Sequence, residues 1–141
     1  MITGKLITKD FLELIKNQYT NLIVFLVDDG SGTLSQTSTM ADAVNLELPS
    51  GNGYERQNIL TTSFSFNNGS YSIQTDSQTW NFTGNVSFTH LCFSVGANTT
   101  IGDTTGTLER IAAVDNGNSL SFGDGESYNL PGFNISIIGK L

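Results

Sequence analysis

Alternation of apolar and polar residues is the main pattern along the chain. Every second residue is apolar in residues 64–66 and 71–73, and the same period returns in residues 133–137. Successive side chains of a β-strand point to opposite faces, so this period is typical of strands with one buried face. The pattern predicts an all-β fold, a single-domain antiparallel β-sandwich of the jelly-roll or immunoglobulin-like kind that spans residues 1–141.

One segment near the N-terminus has the period of a helix instead. Asp10 can accept hydrogen bonds from the free amides of a first turn, and Glu13 follows three residues later, as in a capping box. The apolar residues that share one face of this segment are Phe11, Leu14, Ile15 and Tyr19. These features predict one short amphipathic helix over residues 10–19, which either plugs one end of the sandwich or docks a partner. Residues 1–9 are expected to form an N-terminal arm or an edge strand.

Two segments are candidates for strands that are buried on both faces. The run Leu22–Val27 is apolar at every position, which is typical of a strand at the centre of a sheet. Further along, the apolar positions change parity between residues 86–88 and residues 91–95. The change falls at Thr89 and His90, which predicts either a β-bulge there or a second strand buried on both faces.

Asparagine-glycine pairs mark two predicted hairpins. Asn68-Gly69 lies between two alternating segments, and Asn116-Gly117 divides two later apolar segments. Asparagine and glycine tolerate the positive φ that both central positions of a two-residue hairpin turn require. Each pair therefore predicts a β-hairpin made of the segments that flank it.

Residues 28–52 form a long polar connection without a clear period. Only Val44, Leu46 and Leu48 indicate a brief strand by their alternation. Connections of this length in compact domains are usually functional or disordered, and the sequence leaves both open. If the connection contacts a partner, the candidate residues are Asp28, Asp29, Thr33, Leu34, Leu46 and Leu48.

The charge of the chain favours protein partners over nucleic acid. Six basic and thirteen acidic residues give a formal net charge of −7. Phosphate groups repel an acidic surface, so we expect no nucleic-acid partner. No apolar run has the length of a signal peptide or of a membrane span, and the expectation is a soluble chain made in the cytosol with no membrane partner.

The chain carries few residue types that support catalysis or metal binding. His90 is the only histidine and Cys92 the only cysteine, which excludes zinc sites built from several such side chains. Both lie in an apolar context and are expected to be structural. Acidic glycine turns at residues 28–30 and 123–126 could offer oxygen ligands to calcium, but neither matches an EF-hand loop, and solvated turns explain them better. We therefore predict no enzymatic activity, no cofactor and no metal.

The charged segment after Gly53 calls for a structural explanation. Strand alternation would place Tyr54 and Arg56 on one face. A guanidinium tolerates burial against a carboxylate and an aromatic ring, so a structural network around Arg56 is one interpretation. The other is that Arg56 faces an acidic patch of a neighbouring subunit. The candidate structural or interface residues are Tyr54, Arg56, Gln57 and His90.

Three motifs follow one another in the middle of the chain. They are Gly51-Asn52-Gly53-Tyr54-Glu55-Arg56-Gln57, Trp80-Asn81-Phe82-Thr83-Gly84 and Val86-Ser87-Phe88-Thr89-His90. With a helix and a strand before them and a strand pair after them, their order resembles that of small phage virion structural proteins of the tail-fibre-like or capsid decoration-like kind. Residues 28–52 and 98–107 depart from the usual pattern of that family.

The resemblance implies a non-enzymatic component of a bacteriophage particle, located in the virion after assembly in the host cytoplasm. A capsid decoration or cement protein bound to the outer shell is the leading expectation, and a tail, neck or fibre-adaptor subunit is the alternative. The implied partners are the major capsid protein or other virion proteins, with a homo-oligomer formed in the virion. A more remote alternative is a carbohydrate-binding module with exposed aromatic platforms. Its candidate residues are Trp80, Tyr54, Tyr71 and Tyr128.

Overall fold

The computed structural model describes residues 6–139, and β-strands make up most of its regular structure. Helix α1 spans Lys9–Asn17 and helix α2 spans Met40–Val44. The strands of the described residues are, in chain order, β1 Leu22–Val27, β2 Gln57–Ile59, β3 Thr61–Asn67, β4 Ser70–Thr75, β5 Gln78–Asn81, β6 Val86–Phe88, β7 His90–Val95, β8 Thr107–Ala113, β9 Leu120–Phe122, β10 Ser127–Leu130 and β11 Asn134–Ile138. Most of the arm predicted for residues 1–9 lies outside the described residues, and Lys9 already belongs to α1.

In residues 6–139 the strands form four sheets. The largest has the strand order β2-β1-β7-β8, and a three-stranded sheet has the order β11-β4-β3. Strand β5 pairs with β10, and β6 pairs with β9. Every one of these pairings is antiparallel. The predicted all-β antiparallel sandwich is therefore confirmed.

The apolar core has β1 at its centre. All six residues of β1 are buried, as predicted for a strand covered on both faces. The strand pairs with β7 along its full length, from Leu22 opposite Val95 to Val27 opposite His90. The largest fully buried side chains are Trp80, Phe25, Phe82 and Phe88, and Phe25 belongs to β1 itself. Cys92 is also buried here, and burial raises the pKa of its thiol to about 12, so it is a packing residue.

Helix α1 forms where it was predicted, but it packs through a different face. Thr8 caps it in place of Asp10, because the Thr8 hydroxyl accepts a hydrogen bond from the Phe11 amide at 3.3 Å. Leu12 is the buried residue of the helix, whereas the side chains of Phe11 and Leu14 are 53% and 62% exposed. The interpretation in which the face with Phe11 and Leu14 plugs one end of the sandwich is therefore wrong.

The sheet beneath the helix explains this rotation. Glu13 accepts a hydrogen bond from the Tyr71 hydroxyl at 2.7 Å. The ammonium group of Lys16 lies 5.2 Å from the ring centroids of both Tyr71 and Phe64. A cation is attracted to the face of an aromatic ring, and a phenol hydroxyl needs an acceptor. Polar residues of α1 are therefore turned towards the sheet, and two apolar residues are turned outward.

Only one of the two predicted hairpins forms. Strands β3 and β4 pair around Asn68-Gly69, where φ is 51° and 77°, so the first hairpin is confirmed. The second prediction is wrong, because β8 pairs with β7 and β9 pairs with β6. Asn116 and Gly117 do have positive φ, but their turn passes the chain from one sheet to another. A turn signal is local, whereas the choice of partner strand depends on long-range pairing.

The change of phase at Thr89 marks a similar passage between two sheets. Strand β6 ends at Phe88 and pairs with β9, whereas β7 begins at His90 and pairs with β1 and β8. The Thr89 amide donates a hydrogen bond to the Val27 carbonyl at 2.9 Å, which fixes the crossing point. Residues 91–94 are buried, so the alternative of a second strand covered on both faces is confirmed.

The long polar connection between β1 and β2 folds back onto the core. It contains α2, which the apolar period did not predict, although Thr39 and Asp42 form a capping box at its start. The brief strand expected at Val44, Leu46 and Leu48 is wrong. Val44 ends α2, and of residues 44–48 only Glu47 forms an isolated bridge, with Val27. A five-residue helix is too short to show a clear 3.6-residue period, and its capping residues are the better signal.

Candidate functional site

Two connections that are distant in sequence meet at the carboxylate of Glu47. Arg56 donates to it through Nε at 2.8 Å and through Nη2 at 2.7 Å, and the Gly102 amide donates to it at 3.0 Å. The exposed fractions of the Arg56 and Glu47 side chains are 0% and 2%. The result is a buried, two-pronged ion pair, the geometry in which a guanidinium binds a carboxylate most strongly.

The remaining donors of Arg56 bind the backbone of the turn before β8. Nη1 donates to the Asn98 carbonyl at 3.2 Å, and Nη2 also donates to the Asp103 carbonyl at 2.9 Å. The guanidinium carbon lies 4.9 Å from the centroid of the Phe25 ring. The predicted network of Arg56 with a carboxylate and an aromatic ring is therefore confirmed. Its shielded side chain does not face outward to an acidic patch of a neighbouring subunit.

Tyr54 joins the same network, and Gln57 does not. The Tyr54 hydroxyl donates to the Glu47 carboxylate and accepts from the Leu26 amide at 3.4 Å. Burial, reinforced by the negative charge of Glu47, raises the pKa of Tyr54 above its usual value, so the phenol keeps its proton. The half-buried Gln57 instead donates from Nε2 to the Thr79 carbonyl at 2.8 Å, which links β2 to β5.

Asp29 organises the first turn of the connection after β1. Its Oδ1 accepts hydrogen bonds from the amide and the hydroxyl of Thr33, both at 2.9 Å, and its Oδ2 accepts from the Leu34 amide at 2.8 Å. Burial alone would raise the pKa of Asp29, but the hydrogen bonds from Leu34 and Thr33 outweigh it and hold the pKa below its usual value. The Asp29 amide donates to the Thr89 hydroxyl at 2.7 Å.

The predicted partner-contact residues divide by their exposure. Asp29 and Leu48 are only 4% and 8% exposed, so the expectation that they contact a partner is wrong. Asp29 ties a turn through its hydrogen bonds, and Leu48 packs in the core. Of the other four residues, Asp28 and Thr33 are exposed, and Leu34 and Leu46 are half-buried. A single apolar or acidic residue in a polar connection cannot be assigned to the surface or to the core from the sequence, because its burial depends on tertiary contacts.

An open cleft of about 470 Å³ lies between this connection and β8. His90 is at its wall, with Nδ1 placed 2.7 Å from the Thr89 hydroxyl. The ring is thus hydrogen-bonded, as expected for a structural histidine, and it is also half exposed. Other residues of the wall are Leu34, Ser35, Gln36, Glu109 and Arg110.

A β-bulge brings two charged residues to this cleft. The register between β7 and β8 shifts at Phe93 and Ser94, which leaves Glu109 as the extra residue of β8. A bulge re-aims the side chains beside it, and Glu109 accepts hydrogen bonds from the adjacent Arg110 and from the Tyr19 hydroxyl at 3.2 Å. The residue pattern did not predict this cluster, because a bulge has no fixed sequence signature.

The aromatic residues considered as sugar platforms do not present exposed rings. Trp80, Tyr54 and Tyr71 are buried. The Trp80 indole donates to the Glu55 carbonyl at 2.7 Å, and its ring is part of the core. Tyr128 is half-buried and packs edge-on against Phe88. None of these four residues therefore offers the flat surface on which a sugar ring would stack.

The acidic turns use their oxygens within the protein. In the turn after β9, the Glu126 carboxylate accepts a hydrogen bond from the Gly123 amide at 2.8 Å. Within residues 6–139, no three or more His, Cys, Asp and Glu side chains are grouped so that they could hold a metal ion. Among the described helices, none has the length and apolar character needed to cross a membrane.

Comparison with protein-family models, with curated proteins and with solved structures finds no match to this chain. What the chain does is therefore inferred from its residues and from the geometry described above.

Proposed function

We propose that this chain is a non-enzymatic structural protein of a bacteriophage particle, and that it acts as a capsid decoration or cement protein on the outer shell. The observation that carries the proposal is the buried pair of Glu47 and Arg56. Its hydrogen bonds tie the connection before β2 to the connection between β7 and β8, residues 96–106. We expect the two connections to form one surface beside the central sheet. A surface that is ordered before binding loses little conformational entropy when it meets a partner.

The chemistry of the polar side chains supports a binding role over a catalytic one. Glu47 is neutralised by Arg56, and Asp29 accepts three hydrogen bonds from its own turn. Glu109 is shared between Arg110 and Tyr19. Carboxylates used in this way hold the backbone in place and are not free to act as general acids or bases.

The order of the sequence motifs and the charge of the chain support the same proposal. The motifs resemble those of small phage virion proteins, and a net charge of −7 favours neutral or basic protein surfaces as partners. The surface made by the two connections is rich in hydroxyl and amide side chains. Many modest contacts of this kind, repeated over a symmetric shell, would add contact area at each junction between capsid subunits.

The deciding experiment is to measure the copy number of this chain relative to the major capsid protein in purified particles by quantitative mass spectrometry. A near-stoichiometric ratio supports head decoration. A ratio lower by an order of magnitude or more places the chain in the tail, neck or fibre adaptor and overturns the cement role. Absence from washed particles overturns the virion assignment altogether.

A binding experiment tests the surface itself. Particles that lack the chain are mixed with purified protein, and the bound fraction is measured after sedimentation. The variants Gln36→Arg and Thr104→Arg change exposed residues in the two connections and are expected to reduce binding. Ser136→Arg, which changes an exposed residue of β11, is the matched control and is expected to bind like wild type. Equal binding by all four proteins would contradict the proposed surface.

A further inference from the structure

Strand β3 is an exposed edge of the three-stranded sheet. It pairs with β4 on one side, and no strand of residues 6–139 pairs with its other side. Residues 62–68 are all exposed. An edge strand presents a row of unpaired backbone N–H and C=O groups, which is a template for pairing with another strand. Proteins usually protect such edges with charged residues or proline, and β3 contains neither.

The regular part of β3 is self-complementary. The register with β4 shifts between Thr61 and Ser63, which leaves the segment Ser63-Phe64-Ser65-Phe66-Asn67 as the uninterrupted edge. If a second copy of this segment runs antiparallel about a two-fold axis at Ser65, each Phe64 lies opposite Phe66 of the other copy. Small polar residues then lie opposite small polar residues on the other face. Aromatic pairs across neighbouring strands are among the most favourable.

The hydrogen-bond pattern of β3 allows this pairing. Asn67 and Ser70 close the two-residue hairpin, so Asn67, Ser65 and Ser63 direct their backbone groups towards β4. The alternate residues Phe64 and Phe66 direct theirs to the free edge. About the proposed axis, Phe64 of one copy would exchange both of its backbone hydrogen bonds with Phe66 of the other, and the reverse pair would do the same.

The side chains and charges of this edge also suit a second copy. Phe64 and Phe66 are each 39% exposed, and pairing across the axis would cover part of both rings. The ammonium groups of Lys16 and Lys9 lie 5.2 and 5.3 Å from the centroids of the Phe64 and Phe66 rings, so two positive charges of α1 lie over the aromatic face of this edge. Residues 61–75 contain no charged residue, although the whole chain has a net charge of −7. The strand edge therefore has no acidic side chain of its own, and the two lysines offset part of the negative charge that two acidic chains would bring together.

We propose that two copies of this chain pair through β3, antiparallel about Ser65, so that β11-β4-β3 of one copy continues into β3-β4-β11 of the other. The six strands then form one sheet with an aromatic cluster at its middle. This interface rests on the geometry of the edge strand and does not depend on the virion role proposed above.

Disulfide trapping tests the register of the pair. Residues opposite each other at a non-hydrogen-bonded antiparallel position have Cα atoms about 4.5 Å apart, which is within the range of a disulfide. The variant Ser65→Cys is expected to form a covalent dimer when it is incubated with oxidised glutathione. Ser136→Cys, on the same face of the sheet but two strands away, is the control and is expected to remain a monomer on a non-reducing gel. Cys92 is buried and stays outside this reaction.

Sedimentation equilibrium tests the association without a crosslink. Wild-type protein is expected to show a concentration-dependent dimer, and Ser65→Lys, which places two like charges opposite each other, is expected to shift it to monomer. Ser136→Lys makes the same change away from the edge and is expected to keep the dimer. The proposal is overturned if the wild-type protein is monomeric, or if Ser65→Cys does not crosslink faster than Ser136→Cys. Particle copy number is measured separately, so either proposal can fail without the other.

Discussion

Arg56 and Glu47 form an ion pair that solvent does not reach. Their closest atoms, Nη2 and Oε1, are 2.7 Å apart, and the two side chains are 0% and 2% exposed. Burying two charges is unfavourable unless they meet in good geometry and the remaining donors are satisfied. Both conditions hold here, because the other guanidinium donors bind the carbonyls of Asn98 and Asp103. Removing one partner would therefore leave the other charge buried and unpaired.

Replacing Arg56 with glutamine is expected to lower the free energy of unfolding by about 3–5 kcal/mol, the usual cost of breaking a buried ion pair. The change leaves the Glu47 carboxylate without its main partner and releases the turn at residues 98–103. Urea unfolding followed by tryptophan fluorescence measures the loss, because Trp80 is the only tryptophan and lies in the core.

A second arginine-glutamate pair provides the control for this experiment. Arg110 and Glu109 also form an ion pair, but the Arg110 side chain is 38% exposed. Arg110→Gln is expected to change the free energy of unfolding by no more than about 1 kcal/mol, as for surface pairs. Similar losses for the two variants would show that burial of the Arg56 pair does not govern its effect.

The network around Arg56 also shows what can be predicted from the sequence. The unusual position of an arginine among apolar strands indicates that it needs a carboxylate and a ring. The sequence does not indicate which of the thirteen acidic residues pairs with Arg56. Glu47 lies in a polar connection without a clear period, and only the tertiary fold brings it to Arg56.

The same division applies to the fold. Strand β1 and the hairpin of β3 and β4 are predictable because their signals, an unbroken apolar run and an alternating pair around Asn68-Gly69, are local. The pairing of β8 with β7 and of β9 with β6 is not predictable in this way, because the choice of partner strand depends on residues far along the chain. The face of α1 follows from Tyr71 beneath it, which no helical period can reveal.

Asp29 is expected to make stability depend on pH in the acid range. Burial raises the pKa of Asp29, but hydrogen bonds from Leu34 and Thr33 outweigh this effect. The folded-state pKa is therefore lowered below its usual value. A carboxyl group with a lowered pKa contributes stability above its unfolded pKa, about 3.9, and loses it as pH falls through the folded pKa. Asp29→Asn is expected to cost about 2 kcal/mol at pH 7, since it loses hydrogen bonds to a charged acceptor.

The measurement is urea unfolding of Asp29→Asn and wild type at pH 7 and at pH 3. The difference between the two proteins should shrink at the lower pH, which lies below the unfolded-state pKa of about 3.9, because the unfolded wild-type carboxyl group then binds a proton that the folded state resists. Asp28→Asn changes the exposed neighbour and is expected to alter stability by less than about 0.5 kcal/mol at either pH. A difference for Asp29→Asn that is independent of pH would contradict the role of its charge.

Gly53, which precedes Tyr54 in the chain, is expected to tolerate no side chain. Its φ is 81°, and a Cβ atom there would lie 2.3 Å from the Asn81 carbonyl oxygen. Gly53→Ala therefore combines a left-handed backbone, which costs about 1–2 kcal/mol for alanine, with a collision against backbone. Overpacking of this kind is expected to add about 1–3 kcal/mol.

Gly125 separates these two effects. Its φ is 84°, nearly the same, but a Cβ atom there would meet nothing within 4 Å. Gly125→Ala is expected to show only the backbone cost, about 1–2 kcal/mol in urea unfolding. If the two alanine variants lose equal stability, the approach of Asn81 to Gly53 is not as close in solution as in the structure.

The packing face of α1 can be tested with two leucines of the same helix. Leu12 is fully buried and Leu14 is 62% exposed, although the apolar period alone favours Leu14 as the core residue. Leu12→Ala removes buried methyl groups and is expected to lower the free energy of unfolding by about 2–5 kcal/mol. Leu14→Ala is expected to stay within about 0.5 kcal/mol of wild type, because alanine favours helix and little buried area is lost. Chemical denaturation of both variants at low protein concentration measures this difference without a contribution from association. The reverse order of stabilities would mean that α1 is rotated to the face that its apolar period predicts.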